Sequence, residues 1–332
     1  MVFVFPKREV HGGTGKRERE KSKKNLVDFS ASTNPFPPRF SWNCDPSCLA
    51  YYPDDTYFEL KKRISQTFHR PFEEICVGNG SIEIIRVFCQ VTLKGTKKTF
   101  FTDTPTFGEY ELSARLSGAK RTNSDKADVA FICNPNNPTG ILHRKQDLLQ
   151  TLKKVKSHEG LLFCDEAFIE LSDPSQTLAD VIDPNLFVLH SLTKSFAIPG
   201  IRFGYGFGDP SLIDKIEISR PPWSVNAFAE AFALEAFQHM DQLSQSRAAI
   251  ATERERLATG ITALGLHCHP SSVNFILVDC GRDVTPLCTA LLRHDILVRN
   301  CTSFGLPSCI RVAVRTPEEN RLLLEALSAC TH

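Results

Sequence analysis

The sequence predicts an α/β protein. A large domain with a mostly parallel sheet flanked by helices carries a smaller α+β domain. Three observations lead there. Short, near-continuous apolar runs alternate with helix-like stretches from about residue 55 to 235, the pattern of strands covered on both faces. Polar or glycine-bearing motifs follow these runs at Gly78, Asn134, Asp165 and Ser191, where doubly wound sheets bind ligands. The alternation ends after a long helical stretch near 226–260, and the remaining strands are fewer and more widely spaced.

In chain order, residues 1–45 are expected to form an N-terminal arm that belongs to the small domain. Met1–Pro6 is apolar, but it is short and its basic residues come after it, so no secretory signal is expected and the cytoplasm is the expected compartment. The basic run Lys16–Lys24 suits a solvated face, or a helix or flap beside an anionic ligand. Residues 46–235 are expected to form the large domain. Its strands are placed at Ile75–Val77, Thr99–Thr102, Val129–Cys133, Leu161–Cys164, Phe187–His190 and Phe203–Phe207. Residues 236–332 are expected to form the small domain, with strands at Val273–Asp279, Ile296–Arg299 and Cys309–Val314. No internal repeat interrupts this order.

Composition narrows the function classes. A net charge of +1 over 332 residues gives no field to recruit nucleic acid or an anionic surface. No apolar run approaches the roughly 20 residues of a membrane span. The twelve cysteines form no CxxC pair and no clustered Cys/His spacing, so neither a disulfide framework nor a metal site is expected. Cys133 and Cys164, inside apolar runs, are expected as buried thiols.

Four motifs carry chemistry. In Ser191-Leu-Thr-Lys194-Ser-Phe-Ala-Ile-Pro-Gly200-Ile-Arg202-Phe-Gly204, a lysine follows a buried strand. Apolar surroundings favour its neutral, nucleophilic amine, and the Ser191 and Thr193 hydroxyls and the Arg202 guanidinium suit a phosphate. In Leu161-Leu-Phe-Cys-Asp165-Glu-Ala-Phe168, an aspartate ends an apolar strand. It needs a partner there, either a pyridinium nitrogen or the N-terminus of a following helix. Cys133-Asn-Pro-Asn-Asn137-Pro-Thr-Gly140 is a rigid turn after a strand; Asn137 either bonds a ligand or is simply a turn residue. Val77-Gly-Asn-Gly80-Ser81-Ile82 opens a helix and can cradle a phosphate, without dinucleotide-binding spacing.

In this order the four motifs resemble the fold-type-I pyridoxal-phosphate enzymes of the aspartate aminotransferase superfamily, over nearly the whole chain. The resemblance implies pyridoxal 5'-phosphate as cofactor, held covalently by Lys194, with Asp165 on the ring nitrogen and Asn137 on the phenolic oxygen. It implies that Gly80, Ser81, Ser191 and Arg202 hold the phosphate and that Phe107, in Pro105-Thr-Phe107-Gly-Glu-Tyr110, stacks on the ring. It further implies a homodimer in which Tyr52 reaches the neighbouring subunit's phosphate. The chain departs from many aminotransferases at Phe168, where they carry tyrosine.

Other stretches look closer to the threonine-phosphate decarboxylases, relatives of the histidinol-phosphate aminotransferases. These are His11-Gly-Gly13, Asp28-Phe-Ser-Ala-Ser-Thr-Asn34-Pro, Tyr52-Pro-Asp-Asp-Thr-Tyr57, Asp165-Glu-Ala-Phe168, Pro222-Trp-Ser-Val-Asn226 and Ile296-Leu-Val-Arg299. That resemblance implies a small phosphoamino acid as substrate, bound by His11, Gly12, Asn34, Asn137, Arg299 and Arg311. It implies decarboxylation of O-phospho-L-threonine to (R)-1-amino-2-propanol O-phosphate in cobalamin biosynthesis. The competing expectations are histidinol-phosphate aminotransferase, a phosphoserine decarboxylase, and a non-catalytic binding protein on the same fold. Neither nucleic acid nor a membrane is expected as partner.

Overall fold

A computed structural model describes residues 5–22, 26–124 and 126–331 of the chain. The arm contributes a two-residue strand, β1 (Val27–Asp28). Seven strands follow: β2 (Ile75–Gly78), β3 (Thr99–Thr102), β4 (Lys120–Arg121), β5 (Val129–Cys133), β6 (Leu161–Asp165), β7 (Leu186–Ser191) and β8 (Gly204–Phe207). They form one sheet in the order β2-β8-β7-β6-β5-β3-β4. All neighbours are parallel except β8, which runs antiparallel to both β7 and β2. Hence β2 runs the same way as β5, β6 and β7, and their carboxyl ends share one edge.

Side-chain alternation explains why these runs are strands. In β6, Leu162 and Cys164 enter the core on one face and Phe163 the core on the other. In β7, Val188 and Leu189 divide in the same way. A sheet buried on both faces needs apolar residues at every position until the strand leaves the core, which is where Asp165 and Ser191 stand.

The rest of the chain builds a second unit. Its strands are β9 (His267–Cys268), β10 (Phe275–Asp279), β11 (Ile296–Leu297), β12 (Arg299–Asn300) and β13 (Cys309–Ala313), with β12-β13-β10-β9 forming an antiparallel sheet. Its core, around Ile276, Val278, Leu291, Ile310 and Val312, includes Phe29 from the arm. The arm is tied on by parallel pairing of β1 with β11.

The structure corrects the expected elements in two places. The strand expected over Ile296–Arg299 is two strands: Ile296–Leu297 pairs with β1 and Arg299–Asn300 with β13, so the chain changes partner at Val298. The single helical stretch expected near 226–260 is a helix over Ala227–Ala236 and another over Leu243–Ala263. A 3-10 segment separates them, with non-helical backbone at His239, whose ring stacks on Phe40 at 4.6 Å. Part of the basic run forms the helix Gly15–Ser22, while Lys23 and Lys24 lie outside the described residues, as do Met1–Val4 of the apolar start. All twelve cysteines are free thiols, and Cys133 and Cys164 are buried as expected. No helix among the described residues is long and apolar enough to cross a membrane.

Candidate active site

The shared carboxyl edge of β2, β5, β6 and β7 opens on a cavity of about 510 Å³. The small unit and the arm close its other side. Of the residues singled out in the sequence, His11, Gly12, Ser81, Phe107, Asn137, Asp165, Lys194, Arg202, Arg299 and Arg311 line it.

Lys194 sits in the short helix Leu192–Ser195 that follows β7, capped by the Ser191 hydroxyl. Its Nζ lies 5.8 Å from the centre of the Phe168 ring. Its pKa is lowered to about 8, first by burial and then by the Arg311 and Arg202 guanidinium groups, against the pull of Asp165. The lysine is therefore poised as a nucleophile or proton carrier near neutral pH.

Asp165 ends β6 and is buried. Oδ1 accepts from the Ala167 N–H at 2.9 Å and Oδ2 from the Tyr110 hydroxyl at 2.7 Å. Burial raises its pKa, and the Tyr110 and Ala167 hydrogen bonds oppose that rise. No cationic side chain among the described residues lies within ion-pair distance of it. A buried carboxylate in that position matches a cationic ring nitrogen.

A concave turn is assembled from three places. Gly80 precedes the helix Ser81–Thr92 at φ 77°, ψ 160°, a region essentially reserved for glycine. A Cβ at Gly80 would stand 2.3 Å from Nη2 of Arg202, and one at Gly204 would stand 2.5 Å from the Ser81 amide nitrogen. These glycines let the guanidinium and the helix N-terminus converge, a ready anion site.

Two buried arginines face the cavity from the small sheet. Arg299 and Arg311 are direct partners across β12 and β13. Arg311 donates to Asn137 Oδ1 and, at 2.9 Å, to the Ser30 carbonyl, while its Nε has no partner. Its pKa is lowered to about 10 by burial first, with Arg299 adding to the shift. Arg299 donates to the Val10 carbonyl at 2.7 Å and to Ser303 Oγ at 2.6 Å.

Besides Gly80, which stands just behind Ser81, three singled-out residues are off the cavity wall. Asn34 is behind Lys194 rather than on the cavity wall: its Nδ2 donates to the Ser195 carbonyl and its N–H to the Lys194 carbonyl. Its amide is thus spent on positioning the lysine. Ser191 Oγ is buried against Thr193 Oγ1 at 2.8 Å, and Thr193 is the hydroxyl that lines the cavity. Tyr52 is on the surface, stacked on Trp223 at 4.5 Å, outside the cavity of its own chain.

Sequence reasoning missed Tyr110 and Glu109. Glu109 receives His11 Nε2 at 2.7 Å and Arg86 Nη2 at 2.6 Å, fixing the arm over the site. Both residues stand in the same short motif as Phe107. That shared motif was the available signal, since Tyr110 lies in the first turn of the helix Glu109–Leu116 and Phe107 just ahead of it.

This fold and this edge site define an enzyme of the aminotransferase type. The chain belongs to the aminotransferase class I and II family, which matches residues 43–327. It is similar to the histidinol-phosphate aminotransferase of Symbiobacterium thermophilum, 32% identical, covering 94% of this chain and 92% of that one. It is also similar to a protein of Caldanaerobacter subterraneus subsp. tengcongensis provisionally named threonine-phosphate decarboxylase, 34% identical, covering 90% and 88%. In fold it matches the histidinol-phosphate aminotransferase of Sinorhizobium meliloti in complex with pyridoxal 5'-phosphate, with a TM-score of 0.83 over 96% and 94% of the chains at 20% identity.

Members of this family bind pyridoxal 5'-phosphate, and the residues present fit it. The glycine-lined cradle suits its phosphate, the buried Asp165 its ring nitrogen, and the activated amine of Lys194 its carbonyl carbon.

Proposed function

We propose that this enzyme removes carbon dioxide from a small phosphorylated α-amino acid, O-phospho-L-threonine, giving (R)-1-amino-2-propanol O-phosphate, a linker precursor in cobalamin biosynthesis. The observation that carries the reading is Phe168. It packs edge-on to Phe275 at 5.2 Å and flanks Lys194 without a hydroxyl. A tyrosine there would supply a second proton-handling group beside the lysine.

Bound pyridoxal phosphate supplies an electron sink for a bond at the substrate's α-carbon. The chain's own residues decide which bond. Arg299 and Arg311, side by side on β12 and β13, receive the substrate's carboxylate and phosphate. Asn137 holds Arg311 in place, and Glu109 holds His11 at the phosphate end. Gly12 lets the arm backbone approach closely, since a Cβ there would meet the Ser30 carbonyl at 2.2 Å. Anchoring both anions would fix how the amino acid is turned at its α-carbon, and so whether the carboxylate or the Cα hydrogen is the group lost. Lys194 then returns a proton to the α-carbon. Phe107 would cover the cofactor ring, and Gly80, Ser81, Ser191 and Arg202 would hold its phosphate, with Ser191 acting through Thr193. The enzyme works as a homodimer in which the exposed Tyr52 reaches the neighbouring subunit's cofactor phosphate, and its size in solution tests that.

A second reading is amino transfer from histidinol phosphate, favoured by the name of the Symbiobacterium relative. Histidinol phosphate carries a phosphate but no carboxylate, so it engages both arginines less fully. The purified enzyme, loaded with pyridoxal phosphate, is given O-phospho-L-threonine; carbon dioxide is followed and the amine identified by mass spectrometry. Aminopropanol phosphate is the expected product. No carbon dioxide, with amino transfer from histidinol phosphate to 2-oxoglutarate, would overturn the decarboxylase reading.

A further inference from the structure

Away from the cofactor cavity, three adjacent strands of the small sheet bring unlike donor groups to one edge. Asp279, the last residue of β10, is the direct partner of both Cys309 on β13 and His267 on β9. Direct partners present their side chains on the same face. The His269 N–H donates to the Leu277 carbonyl, so the pairing continues past β9 and His269 shares the face of His267. An imidazole nitrogen of His269, a carboxylate oxygen of Asp279 and Cys309 Sγ all lie within 4.8 Å of one another.

The geometry points to a zinc-class cation site at this edge, formed by His269, Asp279 and Cys309 with the fourth position left to water. The donor set selects the class. Thiolate and imidazole disfavour magnesium and calcium and suit zinc or cobalt. Thiolate and carboxylate together balance a divalent charge. Metal–ligand bonds of about 2.0–2.3 Å place tetrahedral donors about 3.5 Å apart, so rotation of the partly buried His269 and Asp279 side chains closes the cluster around the fixed Cys309.

The groups also lack better partners. Asp279 accepts from the Gly281 N–H at 2.9 Å, has the Ser308 side chain as a second neighbour, and has no ion pair among the described residues. Among the described residues, the side-chain polar contact of the buried Cys309 thiol is with Ser308 Oγ, at 3.8 Å. Burial keeps that thiol above its ordinary pKa. Binding therefore displaces the Sγ proton to solvent as the metal–sulfur bond forms, and affinity rises with pH. Cys309 stands two residues before Arg311 on β13, so an ion here would brace the strand that carries a substrate-facing arginine. The sequence predicted no metal because the donors share no motif; only strand pairing unites them.

The test uses the holoenzyme after chelator treatment, titrated with cobalt(II) and then zinc(II). The expected result is one saturable cobalt site with a thiolate-to-cobalt charge-transfer band, displaced by zinc. Cys309→Ser removes the band, whereas Cys288→Ser retains it. If Cys309→Ser does not fold, His269→Gln and Asp279→Asn, checked by circular dichroism, each weaken cobalt binding by about tenfold or more. No saturable uptake, a site without the thiolate band, or undiminished binding in these variants would overturn the proposal.

Discussion

The Tyr110 hydroxyl donates a 2.7 Å hydrogen bond to Oδ2 of Asp165, with both groups buried. This bond favours the ionised carboxylate where burial opposes it. Tyr110→Phe keeps the ring stacked on Phe131 and removes only the donor. It is expected to weaken cofactor binding about tenfold, the size of one hydrogen bond to a charged group. Asp165→Asn removes the charge itself and is expected to lower kcat by several orders of magnitude. Cofactor titration and steady-state kinetics measure both. A loss below about tenfold in Asp165→Asn would end its pairing role.

Lys194 sets a pH dependence. Only the neutral amine attacks a carbonyl carbon, and the lysine titrates at about 8 rather than 10.5. Covalent capture of pyridoxal phosphate by the apoenzyme is expected to accelerate with rising pH and level off just above 8. Stopped-flow absorbance follows it. Lys194→Ala is expected to bind the cofactor without gaining its mass after borohydride reduction, and to lose turnover. A plateau first reached near pH 10, or undiminished turnover, would contradict the assignment.

Gly80 makes the cradle possible. Gly80→Ala places a methyl group 2.3 Å from Arg202 and forces a side chain onto glycine-only backbone, a strain of about 1–3 kcal/mol. Cofactor affinity is expected to fall more than thermal stability. Differential scanning fluorimetry, with and without pyridoxal phosphate, separates the two. Equal loss in both states would make the glycine structural only.

Phe168 governs reaction choice under the decarboxylase reading. Phe168→Tyr adds one hydroxyl beside Lys194 and is expected to raise the fraction of turnovers ending in amino transfer rather than carbon dioxide release. Conversion of the cofactor to its amine form during turnover of O-phospho-L-threonine reports this by absorbance. An unchanged partition ratio would move the determinant elsewhere.

His190 lies beneath the site, bonded through Nδ1 to Glu170 at 2.7 Å and through Nε2 to Glu166 at 3.0 Å. Burial alone would lower its pKa, but the two carboxylates together raise it to about 10. The folded protein thus keeps a proton that the unfolded chain releases above about 6.5. The stability this group contributes is complete below pH 6.5 and is lost as pH rises towards 10. Urea unfolding across that range is expected to show the decline, with a shallower slope in His190→Gln. An unaltered slope would assign the decline to other groups.

Much of the architecture was legible because a sheet buried on both faces writes itself as apolar runs. Lys194, Asp165 and Asn137 were visible as the polar residues that follow such runs, and each lines the cavity. The change of partner at Val298 was not legible, since pairing depends on which strand lies alongside and not on the residues' own propensity. Neither was the break at His239, which is set by stacking on Phe40, a residue about two hundred positions earlier.

By itself the sequence determined the layered sheet, the edge where chemistry gathers, and the lysine, aspartate and glycine motifs suited to pyridoxal phosphate. These follow from local order, because a strand and the loop after it are contiguous in the chain. Tertiary structure alone decided that Asn34 holds the lysine segment, that Thr193 rather than Ser191 faces the cavity, and that Tyr110 serves Asp165. It alone paired Arg299 with Arg311 and gathered His269, Asp279 and Cys309. Each of these depends on side-chain direction and strand register, which are fixed only when distant segments pack.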